Sequence, residues 1–307
     1  MNKLIAIIGP TAIGKSSLAV KLALKYNGEI INADSRQIYR YMNIGTAKPS
    51  TAELQSIQHH LIDIISPDEP FSLSLYQNQC ISKIKEINGR VHIPFLVGGS
   101  GLYIWSILEN WNIPEIPPDN EYRLKMEERA REEGYKKLYE ELQRLDPQAS
   151  LKIMPTNVRR VIRALEIYHT SGKKASSLQK KNNPDFSFLI IGLTTNRKDL
   201  YKIIDNRVDR MIDMGLLDEV KTLLKKGYDA NLPSMSGIGY KQICLYLDNH
   251  ISLDTAISQI KTDTHRFARK QYAWFHLNDS RINWFDVEAD IKDNIDKLIT
   301  NFIDEEN

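Results

Sequence analysis

Five consecutive apolar residues, Leu4 to Ile8, run into Gly9-Pro10 with no polar residue among them. An unbroken run that short predicts a strand covered on both faces, as in a parallel sheet, because a solvated face would impose alternation. Ser16 to Lys25 changes period, with leucine or alanine at 18, 19, 22 and 23 on one helical stripe. Glu29 to Ala33 reads as a second strand, and His92 to Val97 as a third, closed by Gly98-Gly99. Pro94 has no N–H to donate, which leaves the start of the third strand undefined. Strands alternating with helices predict an α/β fold: a P-loop-type parallel sheet flanked by helices.

The pattern changes near residue 112. Pro114, Pro117 and Pro118 punctuate a linker, and Asp119 to Asp146 is a densely charged stretch with helical spacing and a solvated face. A second helical stretch covers Asn157 to His169, and Phe186 to Leu193 reads as a strand returning to the sheet. The expected organisation is a core of residues 1–111 and 186–307, helical in its C-terminal part, carrying a helical insertion at 112–185.

Composition narrows the function classes. With 42% hydrophobic and 26% charged residues, the chain is not disordered as a whole, and 307 residues can bury a core without disulfide or metal staples. Lys plus Arg number 41 against 39 acidic residues, a net +2, so no global field attracts polyanions. Local charge is different. Between 159 and 181 lie Arg159, Arg160, Arg163, Lys173, Lys174, Lys180 and Lys181 against the single acid Glu166, and Arg159 and Arg163 are one helical turn apart. Such an imbalance points to a nucleic-acid backbone, the competing reading being a solvated charged face. A second cluster, Arg266, Arg269 and Lys270, has Tyr272 and Trp274 interleaved, which suits base stacking or core packing equally. Cys80 and Cys244 form no CxxC pair and read as thiols in a reducing compartment. His59-His60 lacks the companions of a metal site and reads as structural. No segment approaches the ~20 apolar residues of a membrane span; the expectation is a cytoplasmic protein with no membrane partner.

Gly9, Pro10, Thr11, Ala12, Ile13, Gly14, Lys15 and Ser16 fit G-x-x-x-x-G-K-[ST] between a strand and a helix. The glycines let the backbone curl so that its N–H groups face phosphate oxygens, and the helix N-terminus adds partial positive charge. Lys15 would neutralise the terminal phosphates and Ser16 would be a Mg²⁺ ligand. The motif says nothing of the reaction. Asp34, at the end of the second strand, should face the same crevice, as a general base or metal ligand or simply as a helix cap. The third strand ends in Gly98-Gly99-Ser100-Gly101 without the acid that holds metal in nucleotide hydrolases, which weighs against a hydrolase or motor and leaves a small-molecule kinase open.

Several segments together resemble the tRNA dimethylallyltransferases. They are GPTAIGKS at 9–16, ADSRQIY at 33–39, MNIGTAKP at 42–49, HHLIDI at 59–64, FLVGGSGLY at 95–103, RRVIRALEIY at 159–168, RVDRMIDMGLLDEV at 207–220, GIGYKQ at 237–242 and RKQYAWF at 269–275. The resemblance runs through nearly the whole chain in family order. It implies a monomeric enzyme that moves a dimethylallyl group from dimethylallyl diphosphate to N6 of an adenosine beside the anticodon, in tRNAs reading codons that begin with U, with Mg²⁺ present. It implies Asp34 as general base, residues 9–16 as the diphosphate site with Thr11 and Lys15 catalytic and Ser16 on the metal, and Arg207 as a second cation on the leaving group. It implies contact with the anticodon arm by Asp34, Ser35, Arg36, Gln37, Ser100, Arg123, Arg159, Arg160, Val161, Ile162 and Arg163. Adenine must leave its stack to be reached. Ser100 stands where the family more often has threonine, Ile203 one turn before Arg207 where an arginine is frequent, and His276 where an arginine commonly follows Trp-Phe. A prenyltransferase of free adenine nucleotides, a small-molecule kinase and a non-catalytic RNA-binding P-loop protein are the alternatives.

Overall fold

A computed structural model of the chain describes residues 2–178 and 181–305. Its strands are β1 (Lys3–Ile8), β2 (Gly28–Asn32), β3 (His59–His60), β4 (Ile93–Val97), β5 (Ser187–Thr194) and β6 (Ile282–Asp286). They form one sheet in the order β3-β2-β4-β1-β5-β6, every pairing parallel. The unbroken apolar runs have the expected cause. Ile5, Ile7, Phe95, Val97, Leu189 and Ile191 pack together with Ala19 and Ala23 of the helix Lys15–Lys25, while Leu4, Ala6, Ile8, Leu96 and Ile190 on the other strand positions are also 0–1% exposed. Burying such an aliphatic side chain contributes about 1.5–3 kcal/mol, so both faces of β1 must stay covered. Pro94 is the second residue of β4, opposite Glu29, and does not interrupt it.

The charged stretch after 119 is helical as its spacing predicts, in two helices, Asn120–Glu132 and Tyr135–Leu145, separated at Gly134 with φ +87°. One expectation from the pattern needs correction. The C-terminal part, read as helical, contains β6 at the sheet edge. Only Ile282 of its five residues is buried, so an edge strand with polar Asn283 and Asp286 carries no clear period of its own; pairing with β5, ninety residues earlier, makes it a strand.

The chain divides into two compact units, Met1–Leu108 with Pro184–Asn307, and Glu109–Asn183. The second has its own core of Met126, Leu138, Leu142, Val161, Ile162 and Leu165. Val161 and Ile162 were expected to contact RNA; on the helix Val158–Ser171 they are 1% and 3% exposed, so their side chains belong to this core and present nothing to a ligand. Cys80 and Cys244 are free and buried. Among the described residues no helix is long and apolar enough to cross a membrane.

Candidate active site at the carboxyl edge of the sheet

The phosphate loop leaves β1 and enters the helix Lys15–Lys25 through three positive-φ residues, Gly9 at +140°, Ala12 at +70° and Gly14 at +94°. Gly9 has no alternative, since a Cβ there would meet Leu193 O at 2.4 Å. Ala12 is an ordinary residue held in the left-handed region, a cost of about 1–3 kcal/mol that recurs where backbone serves a ligand. Lys15 Nζ donates to Pro10 O at 2.7 Å. Burial pulls the Lys15 ammonium down to about 7, Asp34 pulling it back up and Arg207 pushing it further down.

Asp34 follows β2, whose last residue, Asn32, holds it by accepting the Asp34 N–H at 3.0 Å and donating to Asp34 O at 3.0 Å. Asp34 Oδ1 accepts the Arg36 N–H at 2.9 Å. No helix follows, so the capping role is that of a turn, and among the described residues Oδ2 has no hydrogen bond. Arg207 stands on the helix Arg197–Asp213. Its local acids are engaged elsewhere: Asp209 is 2.7 Å from Lys261, and Asp205 lies 2.9 Å from His265, at an angle poor for a hydrogen bond. The guanidinium makes no hydrogen bond or ion pair among the described residues. Burial lowers its pKa, Asp34 opposing, and an arginine remains charged under that pull.

Two cavities meet at these groups. The larger, about 460 Å³, is walled by Tyr103, Ile204, Val208, Phe267 and Trp274. The smaller, about 300 Å³, is walled by Lys15, Ser16, Lys48 and Arg210. Thr11, Asp34, Thr46 and Arg207 line both. One side is largely apolar and the other cationic, with a single carboxylate and a single free guanidinium at the junction.

The remaining expected residues fall into three groups. Thr11, Ser35, Ser100 and Ser16 line the cavities, although the Thr11 N–H is taken by Gln271 Oε1 at 2.8 Å and Ser100 Oγ accepts the Ser35 N–H at 3.0 Å. The Thr11 amide is thus engaged within the protein, while its hydroxyl has no partner among the described residues. Arg36 and Gln37 hold loops: Arg36 donates to Pro233 O at 2.6 Å, and the buried Gln37 donates to Thr46 O and Ala47 O, both at 3.1 Å. Both also line the cavities, Arg36 the larger and Gln37 the smaller. In the insertion unit, Arg123 and Arg163 both bind Glu166, which is 0% exposed, at 2.8 and 2.5 Å. A buried carboxylate needs such partners, so these two arginines anchor the unit, while Arg159, Arg160, Lys173 and Lys174 are exposed. Lys181 pairs with Glu109 at 2.6 Å; Lys180 lies outside the described residues.

The Ser16 hydroxyl faces the cationic cavity and has no hydrogen bond among the described residues. No group of three His, Cys, Asp or Glu gathers among them. One free hydroxyl beside a phosphate site suits Mg²⁺, which keeps waters and takes few protein ligands. His59 donates to Ile57 O and His60 meets Glu29 at 2.6 Å, both structural as expected.

Three elements of the site escaped the sequence reading. Gln271 bridges two loops. Glu219 accepts the N–H groups of Asn43, Ile44 and Gly45 and the Tyr240 hydroxyl, which sets the loop carrying Thr46. Lys48, with its ammonium held by Tyr39 O, Asn43 and Asp63, lines the cationic cavity. Gln271 left a signal: it shares a helical stripe with Ile260 and Ala268, a polar residue on a buried face.

The IPP transferase family profile matches residues 37–278, and that of the isopentenyl transferases residues 2–68. A tRNA dimethylallyltransferase of Dehalococcoides mccartyi is 47% identical over 300 residues, covering 98% of this chain and 92% of its own; one from Carboxydothermus hydrogenoformans is 46% identical over 303 residues, covering 97% of each. Among solved structures, the full-length tRNA isopentenylpyrophosphate transferase of Bacillus halodurans superposes with a TM-score of 0.72 at 41% identity, covering 99% of this chain and 96% of its own. A eukaryotic dimethylallyltransferase crystallised acting on tRNA gives 0.84 at 29% identity, over 99% of this chain and 80% of its own.

Proposed function

The chain belongs to the IPP transferase family, and from that premise we propose that it transfers a dimethylallyl group to tRNA, taking it from dimethylallyl diphosphate and attaching it to N6 of an adenosine beside the anticodon, in tRNAs that read codons beginning with U. It acts as a monomer in the cytoplasm. The observation that carries the reading is the junction of the two cavities at Asp34 and Arg207. A diphosphate ester has a polyanionic end and an apolar end. The cationic cavity suits the first, the largely apolar one suits a flipped adenine and the prenyl chain, and the bond to be exchanged lies where they meet.

At that point the C–N bond forms as the C–O bond to diphosphate breaks, and the leaving group takes the electron pair. Lys15, Arg207 and the free amides of the phosphate loop stabilise that developing charge, and the Thr11 hydroxyl adds a donor. Arg207 is suited by having no acid of its own to satisfy. The N6 amine has its lone pair delocalised into the ring, so its proton must leave as the bond forms; Asp34 Oδ2 takes it. Ser16 would hold Mg²⁺, which supplies further charge neutralisation on the diphosphate. Arg159 and Arg160 bind the phosphate backbone of the anticodon arm.

The test is transfer of radiolabel from dimethylallyl diphosphate into unmodified tRNA, with AMP as a parallel acceptor and ATP consumption followed separately. Label in tRNA alone, dependent on Mg²⁺, is expected. Label in AMP alone would overturn the acceptor, and ATP consumption without label transfer would overturn the reaction.

A further inference from the structure

Gln271 sits in the last turn of the helix Leu253–Tyr272 and is 3% exposed. Its side-chain amide reaches two loops at once. Oε1 accepts the Thr11 N–H at 2.8 Å, and Nε2 donates to Gly99 O at 2.9 Å. A side-chain amide offers an acceptor and a donor side by side on one rigid plane. The loop after β4 is built around it: a Cβ at position 99 would lie 2.1 Å from Nε2.

The bond to Thr11 matters because of where that N–H stands. Pro10 has none, so the Thr11 N–H is the next donor of the phosphate loop after Gly9, at the end remote from Lys15 and Ser16 where the helix begins. Successive phosphates of a bound ligand lie along the loop's amides. An N–H already committed to Gln271 Oε1 at 2.8 Å gives a phosphate oxygen at best a weak, shared bond. A phosphate placed at this end meets the lone pairs of an amide oxygen, with Asp34, also negative, on the same wall.

We propose that Gln271 withdraws the Thr11 N–H from the anion-binding set and so sizes the loop for two phosphates, discriminating against a third. This rests on the loop being a diphosphate site, as proposed above. Gln271 is a positioning residue. It touches no reacting atom, and its effect is on which polyphosphate the loop accepts. The arrangement also accounts for a nucleotide-type loop in an enzyme whose donor carries only two phosphates: the discrimination comes from a residue 260 positions later in the chain.

The experiment is calorimetric titration of the full chain with inorganic diphosphate and inorganic triphosphate, each with Mg²⁺, for the parent and for Gln271→Met, which keeps length and apolar packing and frees the Thr11 N–H. The parent should prefer diphosphate. Gln271→Met should narrow that preference at least tenfold by tighter triphosphate binding, with diphosphate affinity within about threefold. An unchanged ratio, or equal loss of both affinities, would mean a purely structural clamp and overturn the proposal. Should the variant not fold, amide spectra of the ¹⁵N-labelled parent decide. On saturation with diphosphate the Thr11 signal should stay in place while those of Ile13 to Ser16 move, and a Thr11 shift as large as theirs overturns the idea. Label transfer to tRNA is followed alongside. Its absence with the ratio change intact removes the proposed reaction and keeps the role of Gln271, whereas transfer without the ratio change removes only the latter.

Discussion

Asp34→Asn separates chemistry from architecture better than removal to alanine. Asp34 Oδ1 accepts the Arg36 N–H at 2.9 Å, and an asparagine oxygen can do the same, so the turn that orders residues 34 to 37 keeps a bond worth about 1 kcal/mol. What is lost is the negative charge and the base. Loss of a positioned general base costs ~10²–10⁴ in rate, about 3–5.5 kcal/mol at the transition state. Binding should not follow the rate, because a carboxylate on the wall shared with Arg207 opposes an incoming diphosphate more than it helps RNA. The assay is single-turnover transfer of labelled dimethylallyl at saturating enzyme, with tRNA and diphosphate affinities measured on the same preparation. We expect the rate to fall by two to four decades with tRNA affinity within about threefold of the parent. A rate within threefold, or rate and tRNA affinity falling together, would refute the assignment of Asp34 as base.

Other expectations follow from the same geometry. Arg163→Ala leaves the fully buried Glu166 with one guanidinium instead of two and should destabilise the insertion unit by about 3 kcal/mol in urea unfolding. Arg159→Ala and Arg160→Ala should leave stability unchanged and each reduce the slope of log affinity for tRNA against log salt by about one; an unchanged slope would remove them from the RNA interface. Ser16→Ala should raise the Mg²⁺ concentration needed for half-maximal transfer by about tenfold, with thermal stability unchanged. Glu29 is 5% exposed and, against its burial, is bonded by His60, His92 and Arg90, which together hold its carboxyl below the usual range. Its contribution is therefore complete above the unfolded value near ~4.3 and is lost as pH falls through the folded value. Glu29→Gln should cost about 2–3 kcal/mol at pH 7 and flatten the loss of stability in acid, measured as thermal midpoints from pH 7 to pH 3.

The parts legible along the chain are those whose cause is local. Leu4 to Ile8 and Phe95 to Val97 announce buried strands because both faces must be covered, and Gly9 to Ser16 announces a phosphate loop because curled backbone needs glycine at fixed offsets. Asp34 could be placed beside that loop from sheet topology alone, since open parallel sheets bring strand ends to one edge. What stayed hidden depends on partners far away. Residues 282–286 become a strand only against β5. Val161 and Ile162 sit among arginines in sequence, yet the fold of the insertion turns them into its core, and Arg123 and Arg163 from the same cationic set are drawn inward to satisfy Glu166. Gln271 reads as one polar residue on a helix until packing brings it to Thr11 and Gly99. A local pattern reports what backbone and solvent require of neighbouring residues; the direction of a donor or the partner of a charge is set by what the folded chain places opposite it.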